Sequence, residues 1–187
     1  TLVSFALVFF IGLAVSLLLW LSDSVFQVLE PYLVILNSLP KSALAPLLIV
    51  WLGANQRTII VAGISVAIFG TILNLYTGFT ETSREKIRLI YTLHGTKKDA
   101  LIIVVLPSTV PMIISIMKVN IGLCLVGVVI GEFIGARNGL GYLIIYGSQV
   151  FQLDLVILSI LILCLMAMLL YGGVTAAEKL YHRRQHA

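Results

Sequence analysis

Side chains able to do chemistry are sparse in this sequence, and most of the charged ones fall in one stretch. Between Glu81 and Asp99 stand Arg84, Lys86, Arg88, His94, Lys97 and Lys98 in a polar, helix-compatible setting. His94 has the side chain best suited to proton transfer near neutral pH. No nucleophile or carboxylate stands at a recognisable spacing from it, so a hydrolase would have to pair His94 with Asp99 or Asp154. No catalytic residue is assigned. No G-x-x-x-x-G-K-[ST] loop is present to cradle ATP phosphates. Cys124 and Cys164 lie inside apolar runs, without a CxxC or a His/Cys ligand cluster, which fits packing instead of redox or metal chemistry. No cofactor is implied.

A second set of polar residues lies within apolar sequence. Glu132 is the acidic residue set deepest in such a run, where a carboxylate is costly and marks a pathway or a pair. Two readings stay open for it, a place on a translocation route or a pairing with Arg137. Asn74, Ser115 and Asn120 either line a polar route or hydrogen-bond between helices. Lys118 either snorkels or lines a cavity. Gly139 and Gly141 read as backbone-shape residues in a tight turn.

The elements that must position these groups follow from composition. The chain has 187 residues, 60% of them hydrophobic and 11% charged, with a mean hydropathy of +1.10. Soluble domains carry roughly a quarter charged residues, so lipid is the simpler solvent. The apolar runs are long and continuous, without alternation at period two, so the spans are helices. The fold class is an all-α polytopic bundle forming a single transmembrane domain over residues 1–187. The net charge of +4 does not point to nucleic acid, because the basic residues cluster at 84–98 and 179–184 beside apolar spans, as positive-inside topology requires.

Five spans are expected, at about 2–21, 26–53, 58–79, 112–134 and 153–175. The second is interrupted by Pro31, Pro40, Lys41 and Pro46 and should be kinked or broken near 38–46. Pro107 and Pro111 are expected to divide the run from Leu101 to Gly135 into a short interfacial helix at 100–106 and the fourth span. The loop 81–99 and the tail 178–187 should both be cytoplasmic. Counting crossings then puts residues 22–30 on the same side, although they hold Asp23 and Glu30 with no Lys or Arg. The chain begins on Thr1 within an apolar run and lacks a signal-peptide pattern, so a further N-terminal span is expected ahead of it.

The loop from Tyr91 to Pro111 resembles the EAA loop of binding-protein-dependent ABC importer permeases. Leu106-Pro107 matches that family's Leu-Pro pair, and counting back thirteen residues puts His94 where the family has glycine, with Gly95 beside it to take over the turn. The E-A-A positions fall on Arg88, Leu89 and Ile90, a departure from the pattern. Ser38-Leu39-Pro40 with the run from Ala43 to Gly53 is similar to the proline-rich span of the nitrate/sulfonate/taurine branch. The runs Val128–Gly135 and Asn138–Ile144 are similar to the segment before that branch's last helix. The resemblance implies a type I permease with six spans, the first missing here, in a bacterial cell membrane. It implies that Arg88, Thr92, Leu93, His94, Gly95, Thr96, Lys97, Lys98 and Pro107 belong to a loop that docks on a cytoplasmic ATPase. It further implies two ATP-binding cassette subunits, a second permease copy in a homodimer and an extracytoplasmic solute-binding protein. The cargo implied is a small anion such as a sulfonate, nitrate or taurine; the alternatives are a heterocyclic vitamin precursor or a channel or carrier without ATP coupling.

Overall fold

The structure, a computed structural model, describes residues 1–185, with side chains described as far as Lys179. The basic side chains of Arg183 and Arg184 in the expected cytoplasmic tail, and His186 and Ala187, lie outside the described residues. The described chain is helical without strands: α1 (Leu2–Leu21), α2 (Asp23–Ser38), α3 (Lys41–Leu52), α4 (Gln56–Thr80), α5 (Arg84–Thr92), α6 (Lys97–Ala100), a π-helical turn (Leu101–Val105), α7 (Leu106–Gly135), α8 (Leu140–Gln149) and α9 (Leu153–Gln185). Four helical stretches are long and apolar enough to cross a membrane, Leu2–Leu21, Gln56–Thr80, Lys97–Gly135 and Leu153–Lys179, and the bent pair α2–α3 brings the number to five if it counts as one span.

The centre of the bundle is α4, and small residues are the reason. Asn55 caps its start by accepting from the backbone N–H groups of Arg57 (2.9 Å) and Thr58 (3.2 Å). Along its length Ala62, Gly63, Ala67, Thr71 and Gly78 are buried. A Cβ on Gly127 of α7 would lie 2.8 Å from both the Ala62 carbonyl and the Gly63 Cα, so the two backbones touch there. Such close approach is how helices associate where lipid supplies no hydrophobic drive. Gly78 meets Met112 further along, so α7 runs antiparallel to α4.

Helix α1 also packs on α4, sharing a buried cluster with α7, and runs parallel to α4. The Ser4 hydroxyl donates to the Ile60 carbonyl (3.2 Å) and the Ser16 hydroxyl to the Ile72 carbonyl (3.1 Å), the same sequence offset at both places. The chain must therefore return between Ser22 and Asn55 to the end from which α1 started. It does so through α2 and α3, which meet at 94°. The break falls at Leu39-Pro40, while Pro31 and Pro46 are held inside helices. Gly53, at φ +80°, ends α3.

Prolines 107 and 111 do not divide the next run as their sequence suggests. Helix continues from Lys97 to Gly135, and a π-helical turn at Leu101–Val105 stands one turn before Pro107. There the Leu106 N–H reaches back five residues to the Leu101 carbonyl, the wider spacing of a π turn. The hydroxyls of Ser108 (3.0 Å) and Thr109 (2.9 Å) both donate to the Val105 carbonyl. The loosened turn accommodates the Pro107 ring without a break.

Candidate functional site

The polar residues gather at the two ends of the bundle. At one end is the charged stretch. Helix α5 closes through a complete Schellman turn: the Gly95 N–H bonds the Ile90 carbonyl (2.9 Å) and the His94 N–H the Tyr91 carbonyl (3.1 Å). His94 takes the left-handed position of that motif, at φ +62°, which glycine ordinarily occupies. Gly95 serves a different purpose: a Cβ there would fall 2.5 Å from Ile90 Cγ2 and 2.9 Å from its carbonyl oxygen. The turn expected at this pair thus uses both residues. Thr96 then starts α6 with a capping box, its hydroxyl accepting from the Asp99 N–H while its own N–H donates to the Asp99 carboxylate (2.8 Å). The Thr96 hydroxyl and N–H hold that carboxyl below the ordinary carboxylate range. The cap is therefore complete at neutral pH and is lost as acid drives Asp99 through its lowered pKa.

This segment rests on an apolar base. Ile87 and Ile90 of α5 pack against a buried cluster of Trp20, Leu75, Phe79, Ala100, Leu101 and Val105. Arg88, Thr92, Leu93, His94, Thr96 and Lys98 are exposed. Lys97 turns inward: its ammonium lies 3.3 Å from Asp23 and 5.3 Å over the Trp20 ring. Sequence reasoning grouped Lys97 with Lys98 and missed Asp23 and Trp20, since nothing in their spacing signals a pairing over 74 residues.

At the other end, a cavity of about 720 Å³ is lined by Asn55, Gln56, Ile59, Glu132, Arg137 and Gly139, among others. Glu132 does not pair with Arg137. Its carboxylate accepts from the Gly141 N–H (2.8 Å) and so caps α8 from the neighbouring α7. Only glycine fits beneath it at position 139, where φ is +112° and a Cβ would lie 2.6 Å from the carboxylate. The remaining polar residues do not converge on Glu132. Asn74 and Ser115 are exposed at one level of the bundle, the Ser115 hydroxyl donating to the Pro111 carbonyl of its own helix (3.1 Å). Asn120 is buried. Glu132 stands about 25 Å along α7 from Ser115 at a helical rise of 1.5 Å per residue. Lys118 pairs with Glu178 of α9, both half-buried. Lys41 sits at the α2–α3 break, donating to the Leu36 carbonyl and lying 5.2 Å over the Phe69 ring, with no carboxylate in ion-pair range among the described residues.

The chain is similar to known transport proteins along nearly its whole length. The profile of the family described as "Binding-protein-dependent transport system inner membrane component" matches residues 6–185. A probable ABC transporter permease protein of Haemophilus influenzae is 33% identical over 94% of this chain and 70% of the relative. The formylaminopyrimidine transport permease protein of Halalkalibacterium halodurans is 28% identical over 95% of this chain and 71% of its own length. The taurine transport system permease protein of Escherichia coli is 27% identical, over 94% and 63% respectively.

Proposed function

Since the chain belongs to the family of binding-protein-dependent transport system inner membrane components, and is thus a multi-pass permease subunit of an ATP-binding-cassette importer, we propose that two copies of it work with two ATPase subunits. The family implies ATPase and binding-protein partners; the stoichiometry is our reading. The chain itself hydrolyses no ATP in this scheme, in keeping with a sequence that lacks a Walker A loop.

The observation that carries the reading is the α5–α6 segment. A capped, charged helix pair on an apolar base, fused without interruption to a helix that crosses the membrane, suits a handle that an ATPase grips. Arg88, Thr92, Leu93, His94, Thr96 and Lys98 offer the outer surface, Gly95 and Pro107 shape the support, and this end is cytoplasmic. Affinity purification in mild detergent tests the reading: an ATPase subunit co-purifies. Lys98→Glu and Gly95→Pro each lower its yield several-fold while membrane insertion is unchanged; equal yields from both variants would remove the docking role.

The cargo we favour is a small anion of the sulfonate, nitrate or taurine kind. Lys41 supports it, because a cation in a spanning segment without a carboxylate partner is costly unless it serves an anion or a pathway. Asn74, Ser115 and Asn120 would then lie along the route, with Glu132 at its outer end. In proteoliposomes, taurine or nitrate uptake falls at least about tenfold with Lys41→Met and is largely kept with Lys41→Arg. A heterocyclic precursor is the second reading, favoured by the relative named for formylaminopyrimidine transport. Formylaminopyrimidine uptake without taurine or nitrate uptake would decide for it.

A further inference from the structure

We propose that Lys97, Asp23 and Trp20 form a clamp through which movement of the α5–α6 segment reaches the broken helix pair α2–α3. The inference rests on the reading of α5–α6 as an ATPase-docking handle. The Lys97 ammonium is held between the Asp23 carboxylate at 3.3 Å and the Trp20 ring at 5.3 Å. Among the described residues, this is the one side-chain hydrogen bond from residues 83–100 to the rest of the bundle.

The three positions differ in how firmly they are held. Trp20 is 6% exposed and belongs to the apolar cluster that also takes in Leu75, Phe79, Ala100 and Leu101, so it is a fixed seat. Asp23 is the first residue of α2, where its charge also suits the positive end of the helix. Helix α2 has no buried residue, whereas nearly half of the apolar window of α4 is buried. A pull on the handle therefore finds α2 more compliant than the α4–α7 pair. The ion pair is exposed enough, at 37% and 72%, to add little to stability. It can part and re-form as the handle moves, with Trp20 as the surface on which Lys97 re-seats.

The test uses the whole transporter, purified with its ATPase and binding protein and reconstituted in proteoliposomes. ATP hydrolysis is measured with and without the binding protein for the native chain, Asp23→Asn, Lys97→Gln and the exchanged pair Asp23→Lys with Lys97→Asp. Both single variants retain ATPase subunits in native amounts, yet the ratio of stimulated to basal hydrolysis falls roughly threefold or more. The exchanged pair gives a ratio above either single variant. A merely structural contact would lower complex yield and leave the ratio alone. An unchanged ratio, or one the exchange does not raise, overturns the clamp while the permease reading stands; a native preparation without any ATPase subunit overturns both.

Discussion

His94 shows how a single residue in an unusual conformation sets local stability. A side chain with a Cβ in the left-handed region costs about 1 kcal/mol or more, and His94 bears that cost in the Schellman turn. His94→Gly is expected to slow amide exchange across residues 90–96, corresponding to up to about 1 kcal/mol of local stability. Gly95→Ala should speed the same exchange, because its Cβ would meet Ile90 Cγ2 at 2.5 Å; equal behaviour of the two variants would refute this account. Motif counting puts His94 where the family has glycine, and the left-handed φ falls on that residue, but the separate demands on positions 94 and 95, one for dihedral angle and one for space, do not show in residue types. Glu132 was illegible for a related reason. Its partner is a backbone N–H, bared by the turn through Gly139 and Leu140 to Gly141, and a backbone group has no letter in the sequence. Glu132→Ala should loosen α8 by about 1–2 kcal/mol, read as faster exchange of the Leu140–Leu143 amides, with little change elsewhere.

At the scale of elements, a π turn stands where the prolines are expected to divide the helix. Pro107 and Pro111 do disturb the helix, but the disturbance is taken up as a widened turn at Leu101–Val105 instead of a break. A proline's ring and missing donor need relief, and membrane helices supply it through wider turns, as at Leu101–Val105 here. Whether relief takes the form of a break or a bulge depends on packing such as that of Val105, buried at 0% exposure against its neighbours, which periodicity does not report. A π turn closes over one more residue than an α turn, so it takes up that residue with little change in the angle of α6 about the axis of α7. Deleting Ile103, which is exposed, should therefore close the wide turn and leave Lys97 facing Asp23. The deleted chain should insert normally and keep stimulated hydrolysis within about twofold of native; a several-fold loss would show that the wide turn does more than take up one residue.

For the whole molecule, the helix directions decide which residues share a side of the membrane. Counting crossings placed residues 22–30 with the loop 81–99 on arithmetic alone, against the absence of any Lys or Arg in 22–30. The parallel register of α1 and α4 and the contact between Lys97 and Asp23 bring the same two segments to one end of the bundle. The cation that answers Asp23, Lys97, belongs to the loop beside it. The opposite end carries Asn55, Arg137 and Asn138 around the cavity beneath Glu132. Lys98 and Asn138 are both exposed and lie at these opposite ends. In a chain with Cys124 and Cys164 replaced by serine, Asn138→Cys should react with a membrane-impermeant maleimide in intact cells whose outer membrane is permeabilised. Lys98→Cys should react only once the inner membrane is opened as well. A cysteine at Ser24 should follow position 98, because α1 brings Ser22 to the level of the loop. If position 24 reacted with position 138 instead, α1 would have to run against α4, and the hydrogen bonds from Ser4 and Ser16 to Ile60 and Ile72 could not both form.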